Sequence, residues 1–134
     1  MHPITFIFLA IPMLLTLACS RPRMPPHSSI CQNRDIHELF SPDRVWKAIR
    51  FARGCGGPNF VLQVSVLRAS EALPDAPGNV LREEPATLSA QLQLVWEKPR
   101  ELWVIRNYGM TVAYSVSQVE DVTIVHSTRK PTPD

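Results

Sequence analysis

Residues 4–18 carry no charge and are almost wholly apolar, running through Phe6, Ile7, Phe8, Leu9 and Leu14 to Ala18, and the run stops at Cys19-Ser20-Arg21-Pro22-Arg23. This feature decides how much chain is left to fold. A membrane-spanning helix needs roughly 20 apolar residues, and about 17 at the least. Pro12 would also remove a hydrogen bond from the middle of such a helix. The run therefore reads as the hydrophobic region of a secretory signal peptide, residues 1–18. Its removal leaves a chain of single-domain size, with room for one core.

Leu15-Thr16-Leu17-Ala18-Cys19 resembles the bacterial lipobox, with small Ala18 just before the cysteine. The resemblance implies cleavage before Cys19 and a lipid on its thiol. In the lipoproteins it resembles, a serine such as Ser20 after that cysteine directs the protein to the outer membrane. Two features depart from the pattern. Thr16 stands where an aliphatic residue is usual, and Met1-His2-Pro3 has no Lys or Arg. Ordinary signal cleavage after Ala18 or Ser20 also fits the small-residue rule, and retention as a short anchor is the third fate. Residues 19–30 follow as a Pro-rich tether, in which Pro22, Pro25 and Pro26 oppose helix.

An exported chain is exposed to oxidising conditions. With Cys19 lipidated or removed, Cys31 and Cys55 remain, and one disulfide between them is the simplest expectation. Closing that loop would contribute about 3 kcal/mol by the chain-entropy model. The net charge of +2 is too balanced to point to nucleic acid as a partner. No Asn-x-Ser/Thr acceptor occurs.

The spacing predicts a helix over 42–53. Ser41 suits an N-cap and Pro42 the first helical position. Asp43 lies in the first turn, Arg50 and Arg53 in the last, and Gly54 supplies the stop. At about 100° per residue, Val45, Ala48, Ile49 and Ala52 share one face. A shorter helix is expected over 35–40. Beyond residue 58 the period becomes two, predicting strands near 60–68, 87–96, 102–105, 112–116 and 122–125. Short turns between the last four favour an antiparallel meander. The expected fold class is α+β: an N-terminal helical region packed on an antiparallel sheet of four to five strands, within a single domain over 31–127. Residues 69–86 read as a long loop and 128–134 as a frayed tail.

The basic side of the predicted helix is the sharpest candidate site. Arg44, Lys47, Arg50 and Arg53, with Trp46 at the seam, would meet an anionic lipid surface or an acidic envelope protein. A solvated helix face is the plain alternative. Asp35, His37 and Glu38 have no second histidine at helical spacing, so neither a metal site nor a cofactor is expected. Cys55 follows a helix C-terminus in this reading, which raises a thiol pKa, so a structural role is expected rather than a catalytic one. The expected function is a non-catalytic binding or assembly domain in the cell envelope, held to the membrane by a lipid on Cys19. The alternative is a freely secreted binding protein, an inhibitor or signalling ligand, that presents the central loop.

Overall fold

The computed structural model describes residues 30–84, 91–107 and 109–129. The expected signal peptide over 1–18, Cys19, all of the expected tether but Ile30, and residues 130–134 of the expected tail lie outside them. Among the described residues there are nine strands and no helix. The α+β expectation is thereby corrected to an all-β fold of two sheets. The strands are β1 (Cys31–Phe40), β2 (Trp46–Cys55), β3 (Val61–Arg68), β4 (Leu81–Glu83), β5 (Leu92–Lys98), β6 (Glu101–Arg106), β7 (Val112–Ser115), β8 (Gln118–Val119) and β9 (Val122–Ser127).

One sheet has the order β1-β2-β3-β4-β7, and the other β5-β6-β9-β8. The first is antiparallel throughout. In the second, β6 and β9 run parallel. The expected meander of the last four strands is therefore also corrected. The chain leaves β6, adds β7 to the opposite sheet, and returns through β8 to place β9 beside β6. A parallel pair needs such a crossover, because a tight hairpin cannot reverse the chain twice.

The signals that suggest a helix start at Ser41 belong to a hairpin turn. The Arg44 N–H donates to the Ser41 carbonyl at 2.9 Å, with Pro42 in the second position that this turn favours. Arg44 takes φ +57, in the left-handed region. Asp43 Oδ1 accepts from Ser41 Oγ at 2.7 Å and from the Val45 N–H at 3.2 Å. Ser41 Oγ in turn accepts from the Trp46 N–H at 3.0 Å. The same side-chain-to-backbone chemistry serves helix caps and turns, so the residue types were informative and the element was not.

The strand β2 is buried on both faces, which is why its sequence lacks alternation. Such runs cannot be told from helix by periodicity alone. Register places Trp46, Ala48, Arg50 and Ala52 beside Arg68, Val66, Val64 and Leu62 on the inner face. There Trp46, Ala48, Val64, Val66 and Leu81 join Leu92, Leu102, Val104, Val122 and Ile124 of the second sheet in one core. The outer face carries Lys47, Ile49, Phe51 and Arg53, all buried. Residues 69–80 form a strap across that face. Asn33 Nδ2 donates to the Pro74 carbonyl at 3.1 Å, Arg53 Nη1 meets Asp75 at 2.7 Å, and the Gly78 N–H donates to Gln63 Oε1 at 2.7 Å. A Cβ on Gly78 would stand 2.6 Å from the Val64 carbonyl oxygen, so only glycine lets the strap lie this close. The expected loop 69–86 is thus an ordered cover as far as β4.

The Cys31–Cys55 disulfide is present, with the two residues directly opposite in the β1–β2 register. It locks the open end of that hairpin rather than the end of a helix. Between Arg34 and His37 the register shifts, so that two residues oppose one, and Asp35 takes φ +52 there. This bulge twists the exposed edge strand β1.

Trp46 is 1% exposed. Trp46→Ala should therefore cost about 3–5 kcal/mol, the range for deleting a buried aromatic side chain. Denaturant unfolding of the two proteins checks this. A midpoint unchanged from the parent would return Trp46 to the surface.

Candidate functional site: a cleft between two sheet edges

The sandwich is closed differently along its two long sides. On one side the chain itself passes from β7 to β8, with the Val116 N–H bonded to the Val80 carbonyl and the Ile124 N–H to the Ser117 carbonyl. On the other side stand the edge strands β1 and β5. Two side chains cross this gap, Trp96 from β5 to β1 and Arg50 from β2 to β5. Trp96 Nε1 donates to the Leu39 carbonyl at 2.9 Å, and Arg50 Nη1 donates to the Leu92 carbonyl at 3.0 Å.

Two hollows open beside the Arg50 bridge. The larger, about 610 Å³, is lined by Arg50 and Ala52 of β2, Leu62 of β3, Gln91, Leu92 and Gln93 at β5, Ile105, Arg106 and Asn107 at β6, and Asp35 and Thr128. The smaller, about 340 Å³, shares Arg50, Leu92 and Gln93 and adds His37, Glu38, Leu39 and Leu94. The larger volume lies within the usual range of small-molecule sites, roughly 300–1,000 Å³.

Arg106 reaches the cleft because β6 alternates. Leu102 and Val104 point into the core, and Arg106 is the next inward position, opposite Leu92. Its Nε is screened from solvent and has no hydrogen-bond partner. Glu83 is likewise an inward charge, 5% exposed, beyond Leu81 on β4. The Leu62 N–H donates to its Oε2 at 2.6 Å. Burial holds its pKa above the ordinary carboxylate value, the one hydrogen bond opposing this only in part. His126, also inward on β9, places Nε2 at 2.7 Å from the Val116 carbonyl.

At the opposite end of the sandwich, Arg100 ties three turns together. Its Nη1 donates to Asp43 at 2.7 Å and its Nε to Asp121 at 3.0 Å. The Asp43 pKa lies below its usual value, chiefly through the Ser41 hydroxyl, with the Val45 N–H and Arg100 adding to it. This is a structural clamp on exposed turns.

The five residues proposed as a basic helix face do not form one surface. Arg44 sits in the hairpin turn, its guanidinium 5.3 Å from the Phe40 ring. Trp46 is in the core, with Arg68 stacked 4.0 Å from its ring. Lys47 and Arg53 are under the strap side, paired with Glu38 at 3.0 Å and Asp75 at 2.7 Å. Only Arg50 lines the cleft. The grouping rested on a helical period, and a strand sends alternate residues to opposite faces. Arg106, Gln91, Asn107 and Glu83 were missed. A usable signal was present for two of them, since Leu102-x-Val104-x-Arg106 and Leu81-x-Glu83 each put a charge on an apolar stripe. Asp35 pairs with Arg34 at 3.6 Å, and His37 and Glu38 line the smaller hollow. Among the described residues, no three His, Cys, Asp or Glu side chains are grouped to hold a metal ion.

Comparison with protein-family models, with curated proteins and with solved structures finds no match to this chain.

The raised pKa of Glu83 has a definite sign in stability. Between the unfolded and the higher folded value, the folded state binds more protons, so stability falls as pH rises through that window. Glu83→Gln keeps an acceptor for Leu62 and removes the buried charge. It should melt above the parent at about pH 7 and level with it near about pH 4, by calorimetry at both values. A parent as stable as the variant at the higher pH would show that the carboxylate carries no such cost.

Proposed function

We propose that this protein is a small exported binding module, carried by a lipid on Cys19 and acting in the cell envelope by recognition rather than catalysis. The observation that carries the binding reading is the cleft between β1 and β5, walled by guanidinium, amide and hydroxyl groups over an apolar floor. That is recognition chemistry: a few placed polar groups in an apolar hollow. The export part rests on the apolar run ending at Ala18-Cys19 and on the Cys31–Cys55 bridge, which suits an oxidising compartment. A membrane reached through the lipid, and an envelope protein or an anionic lipid, are the partners this reading implies.

A freely secreted form is the second reading. Thr16 and the absence of Lys or Arg before the apolar run favour it, because both depart from the lipobox pattern. In that form the contact element moves from the loop 69–86 to the cleft, since residues 69–80 are committed to covering the outer face of the first sheet.

Intact mass and N-terminal peptide analysis separate the two. Expression in a Gram-negative host should give a membrane-bound chain beginning at diacylglyceryl-modified Cys19. An unmodified N-terminus at Cys19 or Arg21 in the soluble fraction overturns the lipid anchor in favour of secretion. A chain that retains residues 1–18 in the cytoplasm overturns export altogether. In the same samples, reduction should add two hydrogens and lower stability by about 3 kcal/mol, the chain-entropy value for a loop of this length.

A further inference from the structure

Arginine cannot shed its proton in a protein, so a half-buried guanidinium needs a counter-charge, a ring or a set of acceptors. Most arginines here have one. Arg53 meets Asp75, Arg68 and Arg82 stack on Trp46 and Tyr114, and Arg100 meets Asp43 and Asp121. Arg106 is different. It is half-buried, it makes no ion pair, ring contact or hydrogen bond among the described residues, and its Nε is closed off from solvent. Arg50 is half-buried too. It donates to the Leu92 carbonyl and has no carboxylate partner among the described residues. These two arginines line the same 610 Å³ cleft.

From this we infer that the cleft is a binding site for a small organic oxyanion, a carboxylate or a phosphate ester, held by the guanidinium groups of Arg50 and Arg106. The inference rests on reading the cleft as the recognition surface and supplies the ligand's chemistry. Planar guanidinium groups match carboxylate and phosphate oxygens bidentately and do so best where water is scarce. Gln91 and Gln93 add neutral donors around the bound group, and Leu62, Leu92 and Ile105 offer apolar contact to its carbon skeleton. Asp35 also lines the cleft, but its side chain is 74% exposed and lies 3.6 Å from Arg34, so it sits at the rim as a partly neutralised charge.

The arrangement makes a paired demand on Arg106. A cation held without a partner is a cost to the empty protein that an anion removes, so its loss should spare the fold and abolish binding. The test titrates purified protein with succinate and, separately, with inorganic phosphate, by calorimetry and thermal melting, against sodium chloride at matched ionic strength. The parent should bind one or both and melt higher with them than with chloride. Arg106→Gln should melt at or above the parent without ligand and bind at least tenfold more weakly. Arg106→Lys keeps the charge, loses the fork and should fall between them. The stronger ligand of the two names the group recognised. A parent that responds to neither probe beyond chloride overturns the inference, as does an Arg106→Gln protein that binds as tightly as the parent. Neither result depends on where the chain is delivered, so a failed anion site and a failed lipid anchor are read from separate experiments.

Discussion

The burial of β2 on both faces is the constraint from which the rest of this structure follows. An antiparallel sheet can leave one face to water, but β2 hides both of its rows of side chains. The inner row, led by Trp46 and Ala48, requires a second sheet, and β5, β6 and β9 supply it. The outer row, Ile49 and Phe51 between Lys47 and Arg53, requires a further layer, and the strap 69–80 lies across it. The polar residues at the ends of that row are satisfied locally, Lys47 by Glu38 and Arg53 by Asn33 and Asp75. Buried cations with partners are thus part of the wall. That is the background against which Arg106, half-buried and without a partner among the described residues, stands out.

Closure of the sandwich then decides where the molecule can bind anything. One long side is sealed by the continuous chain between β7 and β8. The other is spanned by Trp96 and Arg50, each through a bond to a carbonyl across the gap. The cleft is what those two contacts leave uncovered. Its position explains why its residues come from five strands, β1, β2, β3, β5 and β6, and from adjoining segments.

The chain beyond residue 58 was legible because polar and apolar residues alternate along its strands, even where the polar row is covered, as Gln63 and Ser65 are by the strap. Val64 and Val66 against Gln63 and Ser65, and Leu102 and Val104 against Glu101 and Trp103, show the period of two that gave the strands near 60–68 and 102–105. The first half was not, for two physical reasons. Double-sided burial erased the alternation of β2 and left apolar residues at 45, 48, 49 and 52, which mimic a helical face. Ser41-Pro42-Asp43 is equally good chemistry for a cap and for a hairpin turn. The cleft could not be read at all from neighbours in sequence, because Arg50 and Arg106 come to line one hollow through the stacking of two sheets. The cysteine pairing could be read, since it needed only the expectation of an oxidising compartment and two thiols left to pair.

The parallel pairing of β6 with β9 bears on how the molecule assembles. The two strands are separated in sequence by β7, which belongs to the opposite sheet. The β1–β2 hairpin can form from neighbouring residues, but β9 finds its place only after the chain has crossed the sandwich and come back. Contacts of that span carry a loop-closure cost that must be met before they return any stability. Until residues 122–127 have emerged and docked, β6 keeps an unpaired edge and Leu102 and Val104 lack part of their cover. The order of synthesis therefore leaves the second sheet incomplete until its last strand, β9, arrives, and that delay is built into the topology.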